Sequence, residues 1–137
     1  MILDTSVIFK WYVKENEADT AKADLILKRF ADGADTIKVP ELLICELANA
    51  LFYCRRLSLR EKEEALINFF DLNVKIISIS KNDIVSSFTI AKKHKITIYD
   101  AVYLALANRL HEPLITANPK HQKLGKNFQV ISLNDYF

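Results

Sequence analysis

Three acids in this chain stand where acids are costly. Asp4 ends the apolar run Met1-Ile2-Leu3 and is followed by two hydroxyl residues, Thr5 and Ser6. Glu46 and Asp100 fall inside apolar stretches with helical spacing. An ionised carboxylate in such surroundings is expensive unless it is hydrogen-bonded, paired or bound to a metal. Three carboxylates brought into contact cannot all stay ionised without a compensating cation. An all-oxygen set with no accompanying histidine or cysteine suits Mg²⁺ or Mn²⁺. Such ions support phosphoryl and phosphodiester chemistry, because they bind a phosphate oxygen, acidify a water and offset charge developing in line. Asn118, just after the apolar segment 114–117, is a candidate fourth member.

Each acid also has a plainer structural role open to it. Asp4 has the chemistry of an N-cap for the helix that follows. Glu46 fits a boundary position from which it reaches a surface lysine. Asp100 stands third after Thr97, where a carboxylate suits both a capped helix start and the helix dipole.

The elements that must position these residues alternate. Residues 1–3 read as a buried strand that delivers Asp4 to its C-terminal end, where open α/β sheets build their sites. Residues 7–13 form a short apolar and aromatic helix, and 17–31 an amphipathic helix ended by Gly33. A second short strand spans 36–39, and Pro40 then opens a strongly apolar helix over 41–56. Ser58 with Glu61, and Ser80 with Asp83, have the spacing of capping boxes. They start helices running to about residues 70 and 94, with a strand at 74–79 between them. A helix over 97–110 carries Asp100. Strands at 113–116 and 128–131 flank a loop or short helix at 118–124. Short apolar strands alternating with helices predict a parallel sheet covered on both faces.

With 137 residues, half of them hydrophobic, and only two Gly and three Pro, the chain predicts one domain over 1–137, without long linkers. No apolar run reaches the roughly 18 residues needed to cross a membrane. The first residues read as structure and not as a basic leader with a cleavage site. The expectation is a soluble cytoplasmic protein. Cys45 and Cys54 lie nine residues apart in one helix, too distant to bridge, and are expected to be free, mostly buried thiols. His94, His111 and His121 are scattered, without zinc spacing.

The formal charge of +2 does not by itself argue for nucleic acid. Its distribution says more. Residues 1–70 hold ten Lys/Arg against twelve Asp/Glu, whereas residues 71–137 hold nine against five. Lys92, Lys93, Lys95, Arg109, Lys120, Lys123 and Lys126 supply the excess, which fits either a phosphate backbone or an ordinary solvated face. Phe9, Trp11, Tyr12 and Tyr53 are expected as core or dimer contacts ahead of base-stacking platforms. A phosphoaspartate domain would also start with a strand-end acid. A receiver, however, wants an acidic pair where this chain has Thr5-Ser6, and a haloacid-type phosphatase wants Asp where it has Ser6.

Four segments together resemble a known family. Ile2-Leu3-Asp4-Thr5-Ser6, Glu46-Leu47-Ala48-Asn49-Ala50-Leu51, Tyr99 to Ala107 (YDAVYLALA) and Leu114-Ile115-Thr116-Ala117-Asn118 occur in the order and spacing of PIN-domain ribonucleases. They are most similar to VapC-type toxins of toxin–antitoxin pairs. The resemblance implies a three-layer α/β/α sandwich around a parallel sheet and metal-dependent endonucleolytic cleavage of RNA. Asp4, Glu46 and Asp100 would be the acidic ligands for Mg²⁺ or Mn²⁺, with Thr5, Ser6 and Thr116 as supporting or phosphate-contacting hydroxyls. It also implies a homodimer and a small cognate antitoxin as partners. The chain departs from the pattern at Asn118, where the family has a fourth acid. An amide can ligate or orient a bound water, but it adds no charge. That leaves two expectations: a nuclease working with three acids, or a PIN-like module that binds RNA or antitoxin with weak or no catalysis.

Overall fold

The shortest strand holds the centre of the sheet. In the computed structural model, which describes residues 1–15, 17–118, 124 and 128–136, β1 is only Ile2–Leu3. It pairs in parallel with β2 (Lys38–Pro40) on one side and β4 (Leu114–Thr116) on the other. β3 (Lys75–Ile77) and β5 (Val130–Ser132) complete a five-stranded parallel sheet in the order β3-β2-β1-β4-β5. Among the described residues, six α-helices flank it: α1 (Thr5–Tyr12), α2 (Thr20–Ala31), α3 (Leu42–Tyr53), α4 (Leu59–Asp71), α5 (Lys81–His94) and α6 (Ile98–Leu110). This is the expected α/β/α sandwich.

The strand order explains where a site can form. The chain builds outward from β1 through β2 to β3, then returns across the sheet to β4. With the usual right-handed crossover, the outward and return connections lie on opposite faces. They part between β1 and β4, which opens a crevice at the C-terminal ends of those two strands. Ile2, Leu3, Leu114 and Ile115 are almost wholly buried, so the strands under the crevice are fixed by core packing.

Local chemistry accounts for the helix starts. Asp4 caps α1, its Oδ1 accepting from the Ser6 N–H at 2.9 Å. Both predicted capping boxes form, Ser58 with Glu61 on α4 and Ser80 with Asp83 on α5. The Thr97 hydroxyl accepts from the Asp100 N–H at 3.1 Å and opens α6.

Several expectations are corrected. Pro40 ends β2 instead of opening a helix, paired in register with Ile77, and the next N–H, that of Glu41, donates to the Ile77 carbonyl at 3.0 Å. The second helix starts at Thr20, not at residue 17, after Asp19 in the left-handed region; Glu17 is taken up by side-chain pairing instead. Cys54 is buried but Cys45 is exposed, because α3 turns Leu43, Leu47 and Leu51 inward. Of the aromatics expected as core or dimer contacts, Trp11 is in the core as expected, its indole N–H donating to the Ala23 carbonyl at 2.9 Å, while Tyr53 lies outside the core at 72% exposed. Arg109 is no free surface cation, since it bridges Asp83. Lys120, Lys123 and Lys126, and most of the predicted 118–124 segment, lie outside the described residues. Among the described residues, no helix is long and apolar enough to cross a membrane.

Candidate acidic site at the end of the sheet

Asp4 reaches its position through its own backbone. Its N–H donates to the Ile115 carbonyl at 3.0 Å, so the residue is still held by the β1–β4 ladder while its carboxylate caps α1. The side chain is 7% exposed. Oδ1 accepts from Ser6 N–H, and Oδ2 accepts from the Thr116 hydroxyl at 2.7 Å. The Thr116 Oγ1 in turn accepts from the Asn118 N–H at 3.0 Å. A hydroxyl has one proton to give, so its orientation is set: donor to Asp4, acceptor from Asn118. Beside it, Ser6 Oγ accepts from the Ala117 N–H at 3.1 Å. These bonds stitch the end of β1 to the end of β4 and draw Asn118 to the crevice.

Glu46 is half-buried on α3, one turn into the helix. Its Oε2 accepts from the Thr5 hydroxyl at 2.7 Å and from the Tyr103 hydroxyl at 2.5 Å. The two hydroxyl oxygens are themselves 2.8 Å apart. Two protons thus serve three oxygen–oxygen contacts. Tyr103, 2% exposed on α6, is held far above the ordinary phenol range by burial, then by the charge of Glu46, with Asp4 adding to it. It stays a neutral donor at any physiological pH. The partners of Glu46 are hydroxyls, not the surface lysine that a boundary glutamate would reach.

Asp100 is half-buried in the first turn of α6, three residues before Tyr103 and therefore on the same side of that helix. The side of α6 that meets Glu46 is the side that carries Asp100. The structure thus brings Asp4 and Asn118 into one hydrogen-bonded set and Glu46 into another, the two joined by the chain at Asp4–Thr5, with Asp100 one turn from Tyr103 in the second. Among the described residues, no three Asp, Glu, His or Cys side chains gather as a ready cation site. The donor set is nonetheless of the right chemistry for a hard divalent ion: carboxylate oxygens, an amide and hydroxyls, with no soft ligand.

An open cleft of about 380 Å³ adjoins the network, lined by Thr5, Ser6, Lys10, Glu17 and Asn118 among others. Lys10 is buried, and its Nζ donates to Glu17 Oε2 at 2.8 Å. Glu17 also accepts from Arg56 at 3.1 Å. Burial would raise the Glu17 carboxyl, but Lys10 and Arg56 outweigh it and hold the group below its usual range. Tyr103, Lys10 and Glu17 are the residues that sequence reasoning passed over. The available signal was a lysine inside the apolar run 7–13 and a tyrosine one turn after Asp100.

Comparison with known proteins agrees with this architecture. The family model described as "PIN domain" matches residues 1–127. Ribonuclease VapC3 of Pyrobaculum aerophilum is 33% identical over 122 residues, covering 85% of this chain and 87% of that protein. Among solved structures, a toxin–antitoxin complex from Klebsiella pneumoniae superposes with a TM-score of 0.71 at 16% identity, over 96% of each chain. VapC20 of Mycobacterium tuberculosis, described as a sarcin–ricin-loop cleaving toxin, gives 0.71 at 14% identity, over 90% of this chain and 94% of that one.

Proposed function

The chain belongs to the PIN domain family, and from that membership we propose that it is a metal-dependent endoribonuclease, the toxin of a VapC-type toxin–antitoxin pair. The observation that carries the reading is the buried Asp4 carboxylate at the end of the central strand, joined through Thr5 to Glu46. Asp4, Glu46 and Asp100 would hold Mg²⁺ or Mn²⁺ through their carboxylate oxygens. The ion, when bound, supplies an acidified water and offsets charge developing on the scissile phosphate. One of the three carboxylates accepts the proton of the attacking water. Thr116 keeps the Asp4 carboxylate turned, and the Asn118 amide orients water at the edge of the set. Cleavage would leave a 5′-phosphate and a 3′-hydroxyl. The partners in this reading are an RNA substrate, a cognate small antitoxin and a second copy of the chain, all in the cytoplasm.

The test is Mn²⁺ binding by calorimetry beside cleavage of a mixed RNA pool, for wild type and Asp4→Ala. Both signals are expected in wild type and neither in the variant, with Asp100→Asn behaving like Asp4→Ala while keeping its fold by circular dichroism. A wild type that binds no divalent ion would overturn the reading.

One observation favours a second reading. The residue drawn to the crevice behind Thr116 is an amide where a fourth carboxylate would complete the acidic set. A site short of one charge binds a second cation more weakly, and the chain then serves as a PIN-like module that holds RNA or antitoxin and cuts slowly. Asn118→Asp discriminates. A gain in cleavage of about tenfold or more, the scale on which a metal site's supporting groups act, would show that the missing charge limits the natural protein. Unchanged, robust cleavage would remove this second reading.

A further inference from the structure

Glutamate has three rotatable side-chain bonds, so a half-buried one is directed only if something holds it. Glu46 is held twice, at the same oxygen, from two other helices. Thr5 on α1 and Tyr103 on α6 both meet Oε2. Resting on the acidic-site reading above, we propose that Tyr103 is a positioning residue for Glu46, and that its hydroxyl sets the mutual placement of all three acids.

Two hydroxyls connect the elements that carry the acids. Thr5 is the residue after Asp4, and Tyr103 lies one helical turn from Asp100. The triangle of Thr5, Tyr103 and Glu46 oxygens therefore ties together the three elements that carry the three acids. Its contacts join positions 41, 57 and 98 residues apart in the chain, so no local structure could supply them. The ring of Tyr103 is itself held in the core: the residue is 2% exposed and belongs to the main hydrophobic cluster. A rigid anchor at one end and a short hydrogen bond at the other make a strut.

The chemistry of the donor matters as much as its position. A lysine or arginine in this place would hold Glu46 equally well but would cancel the charge that a cation has to meet. A phenol hydrogen-bonds the carboxylate and leaves its charge intact. By occupying Oε2, the two hydroxyls leave Oε1 as the oxygen that Glu46 presents; among the described residues both hydroxyl contacts are to Oε2. Supporting contacts of this kind direct a ligand without touching the ion.

The test is Tyr103→Phe in the full chain, which removes one oxygen and keeps the ring. Mn²⁺ affinity by calorimetry is expected to fall about 10- to 100-fold, the usual effect of losing a group that orients a metal ligand. kcat on RNA should fall in parallel while KM stays near its wild-type value, and the melting temperature should move little. Should Tyr103→Phe fold poorly, Thr5→Val removes the other hydroxyl from the same oxygen and is expected to weaken Mn²⁺ binding in the same direction. With both hydroxyls acting on one atom, the double variant should lose less than the product of the single losses. Wild-type Mn²⁺ affinity in Tyr103→Phe, or a lowered melting temperature with unchanged affinity, would reduce Tyr103 to a packing residue and overturn the inference. A wild type that binds no Mn²⁺ would overturn the acidic-site reading itself and this inference with it.

Discussion

At the scale of single residues, hydroxyls hold the acids of the site in place. Thr116 is fully buried, and its side chain is the donor to Asp4 Oδ2 and the acceptor from Asn118. Thr116→Val keeps the shape of the side chain and removes both bonds, leaving a buried carboxylate oxygen short of a donor. A loss of about 1–3 kcal/mol in urea-denaturation stability is expected, with Thr116→Ser recovering most of it; equal stability in the valine variant would show that the bond is dispensable. The acids were legible in the sequence because a charge inside an apolar run violates the pattern around it. Tyr103 was not, since a tyrosine in a buried helix violates nothing. Only the fold reveals that its oxygen meets a glutamate 57 positions away.

At the scale of elements, the helix starts were readable and the tertiary pairings were not. Capping boxes are local, three residues apart, and both appeared where the sequence put them. Pro40 and Glu17 misled for the opposite reason, because each is claimed by a distant partner, Ile77 in the sheet and Arg56 beyond α3. The Ser80–Asp83 box shows how a local signal is reused. Asp83 is 2% exposed, and besides capping α5 it receives the Arg109 Nε at 2.9 Å, which locks α5 to α6. Burial would raise the Asp83 carboxyl, but Arg109 and Ser80 prevail and hold it below the usual range. A group depressed in the folded state stabilises it above the unfolded value and loses that contribution as pH falls through the folded one. Wild type should therefore exceed Asp83→Asn by about 1–2 kcal/mol at pH 7, discounted because Arg109 is partly exposed. The gap should close as pH drops below about 4, where an unfolded aspartate begins to protonate. Thermal melts of both proteins from pH 7 to pH 3 would check it, and a gap independent of pH would refute the assignment to the Asp83 charge.

At the scale of the whole molecule, alternation of short apolar strands with helices was enough to predict a parallel α/β/α sandwich, since few other arrangements bury both faces of such strands. The order of the strands was not in the pattern, and it is the order that places the crevice between β1 and β4. Exposed aromatic and aliphatic side chains remain outside the core, including Phe52, Tyr53 and Leu59 on α3 and α4 and Val85 and Phe88 on α5. One feature of the central strand bears on how such a protein could be kept silent. The amide hydrogen of Asp4 is donated into the middle of the sheet, to Ile115. Amides in that situation exchange with solvent only when the fold as a whole opens. The first acid of the site therefore cannot be switched by local melting, in the way a loop-borne residue can. On the function proposed above, silencing this acid without unfolding the protein would fall to a partner laid over the crevice between β1 and β4, and not to a rearrangement of the strand that carries it.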